Sequence, residues 1–141
     1  MKRTNNCAGS FQPIQAFPAN IHLRLPGQKR STRDELFRRL SMAKVYMERH
    51  FCDPISLENV SREAALSRYH LIRSFKKVFG ITPYQYLLQL RMDKARKMLL
   101  STKLMVHEIA TCCGFADVNS FGKTFKNYYG TAPTKFRKQM Q

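Results

Sequence analysis

An internal repeat with a spacing of 50 residues limits most strongly what this chain can fold into. The matched positions are aromatic, glycine, proline and small apolar residues. They are Val60 with Ala110, Ala64 with Gly114, Leu71 with Phe121, Phe75-Lys76 with Phe125-Lys126, Phe79-Gly80 with Tyr129-Gly130, and Pro83 with Pro133. A fixed spacing of such residues predicts two copies of one supersecondary unit.

Each copy has the pattern of a short helix, a tight turn and a longer helix that ends at a glycine. In the first copy Ser67 is a predicted N-cap and Gly80 a predicted stop, and Asp117 and Gly130 take these roles in the second. The longer helices carry apolar residues at helical spacing, which are Leu71, Phe75, Phe79, Phe121, Phe125 and Tyr129. The pattern predicts two helix-turn-helix units.

Helical patterns also flank the repeat. A capping box of Thr32 and Glu35 predicts the start of a first helix. Its predicted inner face carries Leu36, Leu40, Ala43 and Met47, which recur at helical spacing. Thr82-Pro83 predicts the start of a long helix between the copies, and Pro133 opens a seventh helix. No strand pattern follows residue 31. The sequence predicts an all-α fold of seven helices over residues 31–141, with helix-turn-helix 1 at about 56–80, a linker helix at about 83–100 and helix-turn-helix 2 at about 106–130.

The charge of the chain is strongly positive, with 25 basic and 9 acidic residues and a net charge of +16. This excess predicts a polyanionic partner, nucleic acid before an anionic membrane surface. Residues 1–30 hold five of the bases and no acid, and predict a flexible basic arm that raises affinity without choosing sites. Within them Ile21, Leu23 and Leu25 alternate with polar residues, either by chance, or as an edge strand or the end of another domain.

The sequence contains no recognisable metal-binding or catalytic motif. The four cysteines, Cys7, Cys52, Cys112 and Cys113, are irregularly spaced and form no CxxC pair, so we expect reduced thiols, no metal and no cofactor. Cys112 and Cys113 are expected to pack at the end of a short helix rather than to act with His70 or His107 as a sensor. No paired acids, triad or phosphate loop is present, which predicts that the protein is not an enzyme.

The outer faces of the two longer helices carry the candidate binding residues. On an isolated helix such a face would be ordinary solvated surface. Its recurrence at the same position of both repeats, in a chain of this charge, favours DNA recognition instead. The first face consists of Arg68, Tyr69, Ile72, Arg73 and Lys76, and the second of Val118, Asn119, Gly122, Lys123 and Lys126.

The segment from Ile109 to Arg137 resembles the signature of the AraC/XylS family of bacterial transcription regulators. The matching residues are Ile109-Ala110, Gly114-Phe115, Phe121, Phe125-Lys126, Gly130, Pro133 and Phe136-Arg137. The first unit and the linker also match, and the resemblance covers about residues 36–139. Three places depart from it: Val60-Ser61 replaces a Leu-Ala pair, Met105 replaces a capping residue, and Gly122 puts no side chain on the reading face.

The resemblance implies two helix-turn-helix units, sequence-specific binding to double-stranded promoter DNA, contact with RNA polymerase, and a place in the bacterial cytoplasm at the nucleoid. Most relatives carry a separate sensing or dimerising domain, so the chain is either a stand-alone regulator or the C-terminal part of a longer one. A linker helix of 18 residues spans roughly 27 Å, which with flanking turns matches the spacing of major grooves about 34 Å apart. We therefore expect binding as a monomer to an asymmetric site, with no membrane partner.

Two groups of residues are expected to contact DNA. Base contacts are assigned to Tyr69, Ile72, Arg73, Val118, Asn119 and Lys123. Phosphate contacts, which fix register, are assigned to Ser67, Arg68, Lys76, Lys77 and Lys126, with help from the helix N-termini after Ser67 and Asp117. The alternative is a non-specific nucleic-acid-binding or condensing protein, which would protect DNA uniformly in a footprint.

Overall fold

The computed structural model describes residues 30–141, and these form helices joined by short loops. Across this range no strand is present, which confirms the all-α prediction. No helix within it is long and apolar enough to cross a bilayer. The seven helices are α1 (Arg30–His50), α2 (Leu57–Ala64), α3 (Arg68–Phe79), α4 (Pro83–Ser101), α5 (Val106–Cys112), α6 (Val118–Tyr129) and α7 (Pro133–Met140).

The start of α1 differs from the prediction. The predicted arm and its segment 21–25 lie outside the described residues, except that Arg30 is the first residue of α1. Thr32 is therefore inside the helix, and the predicted capping box is wrong. Glu35 instead accepts hydrogen bonds from Arg38 and Arg39, each at 2.8 Å, and these bonds lower the pKa of Glu35 to about 2. In a capping box the Glu35 carboxylate would accept from the N–H of Thr32, but here it binds the guanidinium groups of Arg38 and Arg39.

The described residues divide into two compact units, and the first, which we call the N-terminal unit, contains residues 30–51 and 55–88. It consists of α1, α2, α3 and the start of α4. The predicted inner face of α1 is buried, as are the inward residues of the other helices. Its core is made of Leu36, Leu40, Ala43, Met47, Val60, Ala64, Leu71, Phe75, Val78, Phe79, Tyr86 and Leu87.

Two long-range polar contacts fix the helices of the N-terminal unit. The Tyr86 hydroxyl donates to Glu48 Oε1 at 2.7 Å. Burial of the phenol raises the pKa of Tyr86, and the negative charge of Glu48 raises it further. Arg39 Nη1 donates to the carbonyl oxygen of Ala65 at 2.9 Å. Since Ala65 is in the turn between α2 and α3, Arg39 connects α1 to the turn that orients α3.

The second unit, here the C-terminal unit, contains residues 52–54 and 89–141. It consists of the rest of α4 with α5, α6 and α7. Its centre is aromatic: the Phe125 ring lies 5.8 Å from Phe121, 4.6 Å from Tyr129 and 5.4 Å from Phe136, measured between centroids. Phe121 and Phe125 of α6 and Phe136 of α7 are almost completely buried. The predicted inner stripe of α6 is therefore confirmed at Phe121 and Phe125, while its third member, Tyr129, is half-buried.

Arg137 closes the loop between α4 and α5 in the C-terminal unit. Its guanidinium donates to the carbonyl oxygens of Leu99 at 3.0 Å, Thr102 at 3.2 Å and Leu104 at 2.9 Å. The last carbonyls of a helix have no partners within it, so these bonds satisfy the end of α4. Arg137 thereby fixes the loop that leads into α5.

The two helix-turn-helix turns are not identical, which corrects the predicted alignment of their first helices. In the N-terminal unit Ala65 is left-handed (φ 56°) and Leu66 N–H donates to Ser61; in the C-terminal unit Gly114 is left-handed (φ 85°) and Phe115 N–H donates to Ala110. The left-handed residues are therefore 49 apart, whereas α3 and α6 begin 50 apart. Hence Val60 corresponds to Ile109 and Ala64 to Cys113, and the second turn has one more residue.

The N-termini of α2 and α5 also differ in their caps. Ser56 Oγ accepts from the Asn59 N–H while Asn59 Oδ1 accepts from the Ser56 N–H, which is a complete capping box. Met105 offers no capping hydrogen bond, and only Glu108 Oε2 accepts from its N–H, at 2.8 Å. Glu108 therefore partly compensates for the missing side-chain cap at Met105.

Candidate nucleic-acid interface

The outward face of α3 carries all of the residues that the sequence assigned to it. Leu71, Ser74, Phe75, Val78 and Phe79 are buried on the opposite face. Tyr69 is 70% exposed and Ile72 38% exposed, so neither is a core residue. At 100° per residue, the centre of the outward face is formed by Tyr69, Arg73 and Lys76, flanked by Arg68, Ile72 and Lys77, all of them exposed.

Two of these residues form a pair on the helix surface. Arg73 Nη1 donates to the Tyr69 hydroxyl at 2.8 Å, and the guanidinium carbon lies 5.9 Å from the centroid of the Tyr69 ring. The spacing of four residues places the two side chains on successive turns. The contact holds the guanidinium on the exposed face and uses one of its N–H groups, so the other N–H groups can still bind a ligand. Both residues were predicted to contact DNA, but their contact with each other was not predicted.

The N-terminus of α3 combines a neutral cap with a basic residue. Ser67 Oγ accepts from the His70 N–H at 3.1 Å, so the serine oxygen satisfies the helix end. Arg68 Nε lies 3.8 Å from Glu58 Oε1 in a pair whose side chains are 63% and 59% exposed. An ion pair so exposed contributes little free energy, and Arg68 retains its ability to bind an anion.

The outward face of α6 repeats this arrangement with different side chains. Val118, Asn119, Lys123 and Lys126 are exposed, while Phe121 and Phe125 are buried behind them. Asn127 is also exposed and occupies the position that Lys77 has in α3. Asn127 was not among the predicted binding residues, although the 50-residue spacing from Lys77 indicates it.

The N-terminus of α6 is capped by a charged group. Asp117 Oδ1 accepts from the Ser120 N–H at 2.7 Å, and this bond, with a second from the Ser120 hydroxyl, lowers the pKa of Asp117. The carboxylate is ionised at neutral pH and sits where a phosphate would approach the helix end. The structure therefore disfavours the phosphate site expected after Asp117, whereas the cap at Ser67 is neutral.

Gly122 leaves an open place in the outward face of α6. A Cβ atom built on Gly122 meets no atom within 4 Å, and its backbone is helical. Glycine inside a helix costs about 0.5–1 kcal/mol relative to alanine. Within this unit nothing sterically requires the glycine.

We expect Gly122→Ala to raise the free energy of unfolding by about 0.5–1 kcal/mol, because alanine lowers the entropy of the unfolded chain without a clash. Urea denaturation followed by circular dichroism measures this change. Gly130→Ala is the matched control: Gly130 has φ +83°, so the same substitution should destabilise the protein. A lower unfolding free energy for Gly122→Ala would contradict the prediction.

The cysteines are placed as structural residues, with one exception to the prediction. Cys113 is fully buried, and this burial raises the pKa of its thiol to about 12. Cys112 is exposed, so the expectation that both pack at the helix end is wrong for Cys112. Cys52 is half-buried, with its Sγ 3.1 Å from Lys94 Nζ. Among residues 30–141, no group of three metal-ligating side chains comes together.

These observations define a protein with two helix-turn-helix units, each presenting an exposed helix face that carries basic side chains. A family model described as a helix-turn-helix domain matches residues 60–139. The chain belongs to the AraC/XylS family of transcription regulators, as the sequence signature indicated. Residues 30–141 thus have the fold of an AraC-type DNA-binding domain.

Relatives and solved structures place the chain among bacterial regulators. The Msm operon regulatory protein of Streptococcus mutans is 32% identical over 72% of this chain and 37% of that protein. The C-terminal domain of AraT, a response regulator from Geobacillus stearothermophilus, is 33% identical with a TM-score of 0.69, over 72% of this chain and 84% of that one. The DNA-binding domain of AdpA, solved with a target DNA, is 25% identical with a TM-score of 0.68, over 71% and 90%. The chain spans about two fifths of the length of the curated relatives it matches.

Proposed function

We propose that the protein is a sequence-specific transcription regulator that inserts α3 and α6 into successive major grooves of an asymmetric promoter site. The observation that supports this proposal is the repeated outward face: matching helix positions are exposed in both units, with Arg68, Arg73 and Lys76 on α3 and Lys123 and Lys126 on α6. A solved relative, the AdpA domain, was crystallised with a target DNA and supports the DNA as ligand.

Base recognition by α3 is assigned to three side chains. Arg73 makes a bidentate contact with the O6 and N7 atoms of a guanine. The Tyr69 hydroxyl, 2.8 Å from Arg73 Nη1, orients the guanidinium for that contact while its ring meets a sugar or a thymine methyl group. Ile72, which is exposed without a core role, contacts a thymine methyl group.

Base recognition by α6 is assigned to a different set. The Asn119 amide matches the N6 and N7 atoms of an adenine, and Lys123 reaches a guanine. Val118 at the start of α6 contacts a thymine methyl group, and Gly122 contributes no side chain. Because the two faces differ in chemistry, the two half-sites differ in sequence and the operator is asymmetric.

Phosphate contacts position both helices without reading sequence. On α3 they are assigned to exposed groups at the helix start and along one edge, and on α6 to one lysine. These residues are Ser67, Arg68, Lys76, Lys77 and Lys126.

A single chain supplies both reading helices, so we propose binding as a monomer. α4 has 19 residues, and a helix of that length spans roughly 28 Å, close to the repeat of about 34 Å between successive major grooves on one side of DNA. We further propose from the family that RNA polymerase is a partner at the promoter and that the protein acts at the bacterial nucleoid in the cytoplasm.

Selection of bound sequences from random duplex DNA tests specificity, asymmetry and spacing together. We expect one enriched, non-palindromic site with two conserved segments about 10 base pairs apart, centre to centre. A footprint on that site should cover about two turns of DNA. Absence of enrichment, with uniform protection in the footprint, would support the alternative of a non-specific condensing protein.

Lys76→Ala is expected to weaken binding to specific and random DNA equally, because a phosphate contact is independent of sequence. The slope of log K against log salt should become shallower by about 0.9. Fluorescence anisotropy measures this slope when the titration is repeated between about 50 and 200 mM salt, where DNA affinity falls steeply with salt concentration. Lys97→Ala, which removes an exposed charge from α4, should leave the slope unchanged. An unaltered slope in Lys76→Ala would remove Lys76 from the phosphate contacts.

A further inference from the structure

The turn between α2 and α3 contains a residue in an unfavourable backbone conformation. Ala65 has φ 56°, and within residues 30–141 it is the one non-glycine residue with a positive φ. This conformation costs free energy for a residue with a Cβ atom, and it persists where surrounding contacts hold it. Ala65 lies two residues before Ser67, the N-cap of α3, so its conformation sets the direction in which α3 leaves the turn.

A guanidinium group of α1 holds this turn at the carbonyl oxygen of Ala65. Arg39 Nη1 donates to that oxygen at 2.9 Å, while Arg39 Nε donates to Glu35 Oε2 at 2.8 Å. The Arg39 side chain is 37% exposed, so hydrogen bonds rather than burial keep it in place. Because Glu35 already fixes the planar guanidinium, less side-chain entropy is lost when its second hydrogen bond forms.

We propose that Arg39 is a positioning residue for DNA recognition: with Glu35 it fixes Ala65 and thereby the angle at which α3 enters the major groove. The role rests on the proposed function, in which α3 reads bases. Arg73 is eight residues after Ala65, about 12 Å at the helical rise per residue, so a change of about 5° in the direction of α3 moves Arg73 by about 1 Å.

Base contacts and phosphate contacts respond differently to such a displacement. The lengths of hydrogen bonds from nitrogen to oxygen vary by only about 0.5 Å, so a displacement of about 1 Å breaks a bidentate base contact. A lysine that binds phosphate acts as a point charge on a flexible stem and can follow the displacement. Loss of the Arg39 contact should therefore reduce sequence preference more than overall DNA affinity.

The turn of the C-terminal unit is stabilised by other contacts. Its left-handed residue is Gly114, which adopts φ 85° without the cost that a Cβ atom brings. The next residue, Phe115, packs against α4, where the guanidinium carbon of Arg91 lies 5.8 Å from the centroid of its ring. These contacts do not involve Arg39, so the turn before α6 provides an internal control.

Arg39→Ala and Arg38→Ala form a matched pair that tests the proposal in the full chain. Both variants remove one positive charge that binds Glu35, but Arg39 also donates to Ala65. We expect Arg39→Ala to lower affinity for the selected DNA site by about 3- to 10-fold, part of the loss expected from a whole bidentate contact. Its affinity for random DNA, and both affinities of Arg38→Ala, should change by less than about 2-fold. Fluorescence anisotropy on the two duplexes measures the ratio of affinities, which unfolding would leave unchanged because it lowers both together.

Arg39→Lys separates position from charge. One ammonium group cannot span Glu35 and Ala65 as the planar guanidinium does. The variant should therefore lose preference for the selected site while it keeps its affinity for random DNA.

Amide hydrogen exchange followed by NMR tests the contact with the turn in the absence of DNA. The Leu66 N–H donates to Ser61, and Arg39→Ala should speed its exchange by at least about threefold, because the turn opens more often. The Phe115 N–H, its counterpart in the C-terminal unit, donates to Ala110 and should exchange at an unchanged rate.

Three results would overturn the proposal. The first is the same behaviour of Arg39→Ala and Arg38→Ala on both duplexes. The second is an equal loss on selected and random DNA in Arg39→Ala that Arg39→Lys restores, because Arg39 would then bind phosphate directly. The third is an unaltered chain without sequence preference, which would refute the proposed function as well; faster Leu66 exchange in Arg39→Ala would then show that the contact with the turn exists but serves no base recognition.

Discussion

Arg73→Ala is expected to lower the affinity for the selected DNA site by about 5- to 150-fold, which corresponds to the 1–3 kcal/mol of one bidentate arginine–guanine contact. Affinity for random DNA should change far less, because that binding depends on phosphate contacts. Arg73 is exposed, and among residues 30–141 it forms no salt bridge, so removing it should not unfold α3. Titrations of both duplexes by fluorescence anisotropy at one salt concentration measure the two affinities.

Two variants separate the elements of this contact. Arg73→Lys keeps the charge but loses the two-pronged geometry, so it should lose preference for the guanine while random binding stays unchanged. Tyr69→Phe removes only the hydroxyl that holds Arg73 at 2.8 Å, and should reduce the preference by a smaller factor. Equal losses on specific and random DNA in Arg73→Ala would show that Arg73 binds phosphate and does not read a base.

Phe125→Ala should lower the free energy of unfolding by about 3–5 kcal/mol, the usual cost of removing a buried phenylalanine ring. The ring is completely buried and lies within 6 Å of three other aromatic rings, so its loss leaves a cavity at the centre of the C-terminal unit. The total free energy of unfolding of a small domain is only about 5–15 kcal/mol. The variant should therefore unfold at a much lower urea concentration, measured by circular dichroism.

Substitutions at neighbouring positions provide the control for Phe125→Ala. Phe125→Leu keeps most of the buried volume and should cost clearly less than the alanine variant. Lys126→Ala, one residue on but exposed, should change stability by no more than about 0.5 kcal/mol. A similar unfolding free energy for Phe125→Ala and Lys126→Ala would contradict the packing described for the C-terminal unit.

The helices and their buried faces could be predicted from the sequence because they depend on local signals. Ser67 and Asp117 cap the helices for which they were selected, and Gly80 and Gly130 end them in left-handed conformations. The stripe of α1 is buried as its spacing indicated. Each signal acts within one or two turns of the chain, so no tertiary information was needed.

Features that depend on competition between partners could not be predicted. Thr32 and Glu35 match a capping box, yet Arg38 and Arg39 bind the carboxylate and α1 begins at Arg30. The contact between Tyr69 and Arg73 depends on rotamers that sequence does not specify. On α3 and α6 the exposed faces were predicted from periodicity, whereas their roles toward DNA remain predictions.

The extra residue in the second turn has a practical consequence for building hybrid regulators. The left-handed residues Ala65 and Gly114 are 49 positions apart, whereas the reading helices start 50 apart. If one whole helix-turn-helix unit replaces the other on an alignment with one fixed offset, one residue is therefore inserted or deleted. Within a helix, such an error rotates the side chains that follow it by about 100° and turns apolar residues toward solvent. Grafts of a reading helix should therefore join at Arg68 or Val118, so that each turn keeps its own length.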